Sequence, residues 1–155
     1  MVGEERGPDV VAVPPLIYVA PLVGGLVLDR LIPLPRLPRR LARPIGVAIL
    51  AGGLGLTAWF LRSMREADTP VDVHQAPRHL VVDGPFKYTR NPAYLALAAS
   101  YIGISLVTRA TWPLLLLPTA LATVDRGVIE REESYLRERF GEDYESYRSR
   151  VRRWI

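Results

Sequence analysis

Charged and apolar residues are strongly segregated along the chain. Four stretches contain no Asp, Glu, Lys or Arg. A helix that crosses a bilayer needs about 20 predominantly apolar residues and tolerates as few as about 17. Three stretches meet that length, and residues 110–124 do so if their helix continues past Asp125. We therefore predict an all-α, polytopic membrane protein with about four transmembrane helices, near residues 10–29, 44–61, 91–108 and 110–128.

The first span could be a cleaved signal peptide or a permanent helix. The residues before it provide no basic n-region, and Pro14 and Pro15 stand where the apolar core of a signal would begin. We expect the span to be retained.

The 155 residues have room for one domain, so residues 1–155 should form a single membrane-embedded domain. Buried helices of a soluble protein are the alternative, but such domains rarely have four charge-free runs without amphipathic helices to cover them.

Composition narrows the chemistry. The chain has no cysteine and two histidines, which argues against disulfides, thiol nucleophiles and thiolate or histidine metal sites. We expect no metal and no nucleic acid among its partners.

The polar residues lie in three blocks between and after the spans. With four spans, residues 62–90 and 125–155 share one face of the membrane with both termini, and the Pro- and Arg-rich turn 29–43 lies on the other. The first face carries 14 Lys and Arg and the second carries 6, which places both termini in the cytoplasm. The turn alone, as the most densely basic short loop, favours the opposite orientation.

Local signals predict packing and helix starts. Small residues spaced four apart in span three (Ala96 and Ser100, Ala99 and Gly103) and, less clearly, at Gly52 indicate close packing against a neighbouring helix. Thr111, followed by Trp112 and Pro113, is typical of an N-cap for span four.

The last thirty residues read as two helices separated at Gly141, a typical helix C-cap. In the first of them Glu133 shares an apolar stripe with Ile129 and Leu136. A carboxylate on a buried stripe is costly unless it is paired or used. The pair Glu132 and Glu133 would then bind a cation or pair with an arginine; the alternative is an ordinary solvated charge run.

The second helix carries an aromatic stripe of Tyr144, Tyr147 and Trp154 among arginines. This pattern is typical of a helix at the membrane interface. Arg150 is the one arginine there that we also consider as a fixed cation for a substrate carboxylate or phosphate.

The segment before span three contains a turn at Asp83-Gly84-Pro85 and a helix start at Asn91-Pro92. A helix N-terminus beside Arg90 favours an anionic group, although a well-capped helix start would look the same.

Taken in order, these features resemble the isoprenylcysteine carboxyl methyltransferase and phospholipid methyltransferase superfamily. The elements that carry the resemblance are Leu80-Val81-x-x-Gly84-Pro85-Phe86, Arg90-Asn91-Pro92-x-Tyr94, Glu132-Glu133, Phe140-Gly141-x-x-Tyr144-x-x-Tyr147 and a basic end. The resemblance is close from Leu80 onward and looser over the four-span layout of small bacterial members. It implies an S-adenosylmethionine-dependent methyltransferase (EC 2.1.1 class) in a bacterial inner membrane, with its site facing the cytoplasm.

The resemblance also implies site residues, in segments 78–94 and 129–155. Glu132 and Glu133 would meet the positively charged methionine end of the cofactor, and Arg150 together with Glu133 would be catalytic, with Arg150 near the substrate. The cofactor pocket would be lined by Leu80, Gly84, Phe86, Tyr88, Arg90, Asn91, Pro92 and Tyr94.

Two departures from the family pattern limit the transfer. Asn91 stands where Arg-His-Pro is common, and Arg78 replaces a histidine, which leaves the role of His79 open. The expected substrate is a membrane-embedded amphipathic molecule, either an isoprenylcysteine-like carboxylate or a lipid amine, and the acceptor atom stays open. The alternatives are an NADPH-dependent, steroid-reductase-like membrane enzyme and a non-enzymatic membrane scaffold.

Overall fold

The computed structural model describes residue 8, residues 13–72 and residues 75–155. This part of the chain forms no strand, and 75% of its residues are helical. A 3-10 turn, Gly84–Lys87, precedes the third helix, and a π-helical turn, Asp125–Ile129, joins the fourth to the fifth. The helices are α1 (Pro14–Leu31), α2 (Arg39–Glu66), α3 (Pro92–Thr108), α4 (Thr111–Val124) and α5 (Glu130–Arg150). The predicted all-α, polytopic fold is confirmed.

The helices follow the charge-free runs but differ from them at their ends. Residues 10–12 of the first predicted span lie outside the described residues. α2 is longer than the predicted 44–61, because arginines form its first turn and an Arg62–Glu66 pair spans its last turn. The fourth span continues past Asp125 through the π-helical turn Asp125–Ile129, as its length required. Thr111 is the first residue of α4 and makes no N-cap bond, so that prediction is off by one position.

The apolar helices fit a membrane. Among the described residues α1, α2 and the continuous helix starting at Thr111 are long and apolar enough to cross it, and α3 is a shorter apolar helix of 17 residues. Only 11% of the most apolar window of α2 is buried within the protein. Such an exposed apolar surface needs lipid around it.

α2 packs along α3, and α1 packs against α4. The α2–α3 contact depends on small residues. A Cβ on Gly103 would lie 2.7 Å from the backbone nitrogen of Leu50, and one on Gly53 would lie 2.7 Å from Ser100 Oγ. The predicted small face of α3 is thereby confirmed, whereas Gly52 points into open space and takes no part.

One end of the bundle, which we call the basic end (residues 29–43 and 109–112), is held by side chains that bond across it. Buried Asp29 accepts the Thr111 backbone N–H at 2.9 Å. Trp112 donates to the Ile32 carbonyl and Arg109 to the Leu37 carbonyl. The turn between α1 and α2 is therefore fixed although residues 33–38 have no regular structure.

The opposite end holds the polar residues 67–72 and 75–91 and α5. Beneath it lies an apolar core in which Tyr18, Tyr101, Val124, Val128 and Ile129 are buried. The π-helical turn adds a residue to the helical repeat, so it rotates α5 relative to α4. Gly141 bends α5 with a φ of 52°, which favours glycine, and this confirms the predicted break.

Candidate active site

A cavity of about 710 Å³ opens at the polar end of the bundle. Its walls come from the start of α1, the second half of α2, segment 77–94 and α5, with Leu97 of α3 also lining it. The lining is mostly apolar where the walls are transmembrane helices, and polar where α3 and α5 meet. The two predicted site segments, 78–94 and 129–155, therefore face each other across one cavity.

Most of the predicted cofactor-pocket residues lie in its wall. His79 also lines the cavity, one position from Leu80. The predicted residues that line it are Leu80, Phe86, Arg90, Asn91, Pro92, Tyr94, Glu132 and Glu133.

Gly84 and Tyr88 lie outside the lining and shape the turn instead. Gly84 has a φ of 62°, and a Cβ there would collide with Ser63 Oγ. Tyr88 is 70% exposed, and its ring lies tilted against that of Trp59, with ring centroids 6.0 Å apart. Both residues dock the 3-10 turn onto α2.

Glu133 is buried, as its place on the apolar stripe predicted, and it is paired on both sides. Arg90 Nη2 donates to its Oε1 at 2.8 Å, and Arg153 donates to Oε1 at 3.2 Å and to Oε2 at 2.8 Å. Burial raises the pKa of Glu133, but the bonds from Arg153 and Arg90 outweigh burial and hold it below its usual value. Glu133 is thus a charged link between two arginines.

Glu132 has a different environment. The Tyr94 hydroxyl donates to its Oε1 at 2.6 Å, and no described residue bonds its Oε2. Burial raises the pKa of Glu132 to about 7, and the neighbouring Glu133 charge adds to the rise while the Tyr94 bond opposes it. This carboxyl faces the cavity.

The C-terminal residues are fastened to the start of α3. The Arg90 N–H donates to the Arg152 carbonyl at 3.0 Å, and Thr89 Oγ1 and Asn91 Nδ2 both donate to the Arg153 carbonyl. The Arg153 guanidinium also reaches Asp125 at 3.2 Å. Arg153 therefore ties the π-helical turn, α5 and segment 89–91 together.

Arg150, predicted as a catalytic cation, lies elsewhere. Its side chain is exposed, is not part of the cavity wall and donates to the Ser146 carbonyl of its own helix. Arg153, three residues later, makes the contacts with the site. Helical spacing did not reveal this, because α5 ends at Arg150 and the following residues are not helical.

The aromatic stripe of the second C-terminal helix faces inward, which corrects the interfacial prediction. Tyr144 and Tyr147 are buried and line the cavity, and the Tyr147 hydroxyl donates to the Phe86 carbonyl at 2.8 Å. Trp154 packs against the apolar core. Phe86 and the apolar core meet this face, and the sequence pattern alone does not distinguish such protein contacts from a lipid headgroup layer.

Two donors at the cavity remain without a partner among the described residues. Buried Arg90 Nε has no hydrogen-bond acceptor, although the other guanidinium nitrogens bond Glu133 and the carbonyls of Arg148 and Val151. The Tyr144 hydroxyl likewise makes no hydrogen bond within the described part of the chain, and burial raises its pKa to about 12. The Tyr144 hydroxyl lies in the cavity wall, where it can donate to a bound ligand, whereas Arg90 Nε is covered by the surrounding protein. No group of three His, Asp or Glu in the described ranges is placed to hold a metal ion.

Comparison with known proteins identifies the family. The phospholipid methyltransferase family model matches residues 41–143, about two thirds of the chain, from the start of α2 to just beyond the bend in α5. Searches of curated proteins and of solved structures give no significant match. The matched region includes the cavity-lining segment, Tyr94 and both glutamates. The chain therefore belongs to the phospholipid methyltransferase family, and it is a methyltransferase-type protein of the membrane.

Proposed function

We propose that the protein transfers a methyl group from S-adenosylmethionine to an amphipathic substrate that lies in the bilayer. The observation that carries the proposal is the cavity, which joins a polar wall of Arg90, Glu132 and Tyr144 to an apolar wall of transmembrane helices. Family membership supports the reaction class. The volume of about 710 Å³ is within the range of pockets that hold a cofactor and part of a substrate.

The residues present fit this cofactor. The Tyr144 hydroxyl, which no described residue bonds, is a donor for its carboxylate or ribose oxygens, and Glu132 Oε2 is an acceptor for its ammonium group. Phe86 and Tyr147 provide aromatic faces, which favour a cation. When bound, S-adenosylmethionine supplies a methyl group attached to a positively charged sulfur.

The protein positions the methyl donor and the acceptor and excludes water from the site. Holding donor and acceptor at near-attack distance supplies on the order of 7 to 11 kcal/mol in favourable cases. The Arg90–Glu133–Arg153 link fixes the wall that faces the cofactor, and Tyr94 fixes Glu132. A carboxylate acceptor needs no proton transfer, whereas an ammonium acceptor must lose a proton before its nitrogen can take the methyl group.

The apolar wall supports a lipid-like substrate. Phe60, Leu61 and Met64 of α2 and Leu97 of α3 line the part of the cavity that lies among the transmembrane helices. An isoprenylcysteine-like carboxylate and a lipid amine both have an apolar part that fits this lining. Because the cofactor is made in the cytoplasm, we place the site and both termini on the cytoplasmic face, in a bacterial inner membrane.

The test is binding of radiolabelled S-adenosylmethionine to the purified full chain in detergent, with NADPH as a parallel ligand. Binding of S-adenosylmethionine alone supports the proposal. NADPH binding in its place would favour a reductase, and binding of neither would favour a scaffold. Incubation with a total lipid extract, followed by identification of the labelled product, then determines the acceptor.

A pair of variants localises the binding. Glu132→Gln removes the charge that faces the cavity, whereas Glu138→Gln removes an exposed carboxylate of the same helix that lines no part of it. We expect the first to weaken S-adenosylmethionine binding by about tenfold or more, the usual scale for a charged hydrogen bond, and the second to leave it unchanged. If Glu132→Gln and Glu138→Gln bind S-adenosylmethionine with equal affinity, Glu132 is not part of the binding site.

A further inference from the structure

We propose that the basic end is a binding surface for anionic phospholipid headgroups, at the opposite end of the bundle from the methyl-transfer site. The proposal does not depend on the proposed function. It rests on the distribution of charge between the two ends, on the exposure of the arginines and on the way the turn is held.

The net positive charge of the protein is concentrated at this end. It contains six arginines and one acidic residue, Asp29, of the 20 basic and 16 acidic residues in the chain. The remaining 14 basic and 15 acidic residues nearly cancel. The apolar helices between the two ends carry no charge over most of their length, so they keep this cationic surface apart from the acidic residues of the other end.

The arginines are available to a ligand. Asp29 is buried and is occupied by the Thr111 N–H and, at 3.5 Å, by Arg36. Arg39, Arg40 and Arg43 are exposed, and none makes an ion pair within the described part of the chain. They lie on the first turns of α2, with Arg39 and Arg43 on one face because they are four residues apart. A guanidinium bonds two phosphate oxygens at once, which suits it to a lipid headgroup.

The surroundings indicate a lipid rather than a soluble anion. Leu31, Ile32, Leu37 and Leu41 are 46% to 73% exposed beside the arginines, so acyl chains would cover them while the guanidinium groups reach the phosphates. Trp112 lies at the same end, where aromatic residues mark the boundary of a membrane.

The surface is already ordered before anything binds. Thr111 Oγ1 donates to the Pro35 carbonyl at 2.8 Å, Trp112 Nε1 to the Ile32 carbonyl at 2.7 Å and Arg109 Nε to the Leu37 carbonyl at 3.0 Å. A preformed surface loses little conformational freedom when a ligand binds.

The experiment is a lipid titration of the full chain in neutral detergent micelles, read by native mass spectrometry, with phosphatidylglycerol and phosphatidylcholine as probes. The test variant is R39Q/R40Q/R43Q. The control R62Q/R65Q/R126Q removes the same charge from exposed arginines at the other end. We expect the unmodified protein and the control to retain phosphatidylglycerol over phosphatidylcholine, and the test variant to lose that preference by on the order of tenfold.

Three results would overturn the proposal. They are equal retention of both lipids by the unmodified protein, the same loss in both variants, and binding of inorganic phosphate as tight as that of phosphatidylglycerol.

Salt dependence of the unmodified protein gives a second measurement that needs no variant. Raising the salt concentration from about 0.05 M to about 0.5 M should reduce the preference for phosphatidylglycerol, because exposed charges are screened over a few ångströms at that concentration.

Discussion

Glu132 and Glu133 are adjacent in the sequence, yet their carboxylates have opposite electrostatic environments. Glu133 is held by Arg90 and Arg153, whereas Glu132 has a tyrosine hydroxyl and an open side toward the cavity. The 3.6-residue helical repeat predicted the burial of Glu133 but not its partners, since Arg153 lies beyond the end of α5. Helical spacing gives the orientation of a residue within its helix and not the residue that meets it from another segment.

Glu132 should make stability depend on pH. Its pKa rises from an ordinary value near 4.5 to about 7 on folding, so the folded state binds the proton more tightly. The contribution of Glu132 to the free energy of unfolding is therefore fully present below about pH 4.5 and is lost as the pH rises from 4.5 to 7, by on the order of 3 kcal/mol. Glu132→Gln removes this loss, so its melting temperature should exceed that of the unmodified protein by more at pH 8 than at pH 5. The same difference at both pH values would contradict the assignment.

Glu133 should be a strong stability determinant. Glu133→Gln leaves Arg90, only 11% exposed, and Arg153 without their shared counter-charge, which typically costs about 3 to 5 kcal/mol. We expect a large drop in melting temperature in detergent, measured with bound ligand absent. Glu130→Gln, an exposed neighbour in the same helix, is the matched control and should change it little. A small drop in the melting temperature of Glu133→Gln would mean that water, instead of Glu133, satisfies the two guanidinium groups.

At the scale of elements, the charge-free runs located the helices because lipid, not protein, covers most of the apolar surface. Their ends were less predictable. Arg39 and Arg40 form the start of α2, because long charged side chains suit the part of a helix that extends out of the membrane. The π-helical turn Asp125–Ile129 is marked by no pattern of charge or hydrophobicity in the sequence. The inward aromatic stripe was missed for a related reason, since Tyr144 and Tyr147 are buried by segments distant in sequence.

The α2–α3 contact gives a prediction at this scale. Gly103→Ala places a methyl group 2.7 to 2.8 Å from the backbone of Leu50, so the helices must separate, at a typical cost of about 1 to 3 kcal/mol. Gly52→Ala adds a methyl group to open space on α2 and should stabilise the helix slightly. Thermal unfolding of both variants in the same detergent separates the effects. If both variants shift the melting temperature by the same amount, the close approach of α2 and α3 does not determine the stability of the protein.

At the scale of the whole molecule, two measures of charge favour opposite orientations. The polar end has more lysine and arginine, whereas the basic end holds the net positive charge. The positive-inside rule counts basic residues in short loops close to the spans, which gives the compact turn 29–43 a large weight. The proposed methyl-transfer site, however, would have to reach a cofactor made in the cytoplasm, and this requirement sets the orientation we propose.

The absence of cysteine makes this orientation directly measurable. Arg40→Cys and Glu138→Cys each introduce a single thiol at an exposed position, one at each end of the bundle. In sealed right-side-out vesicles, a membrane-impermeant maleimide should label Arg40→Cys, and it should label Glu138→Cys only after the membrane is opened. The reverse pattern would place the site outside the cytoplasm and contradict the proposed orientation. Labelling of both thiols from one side would contradict an even number of spans, because the basic end and α5 would then share a face.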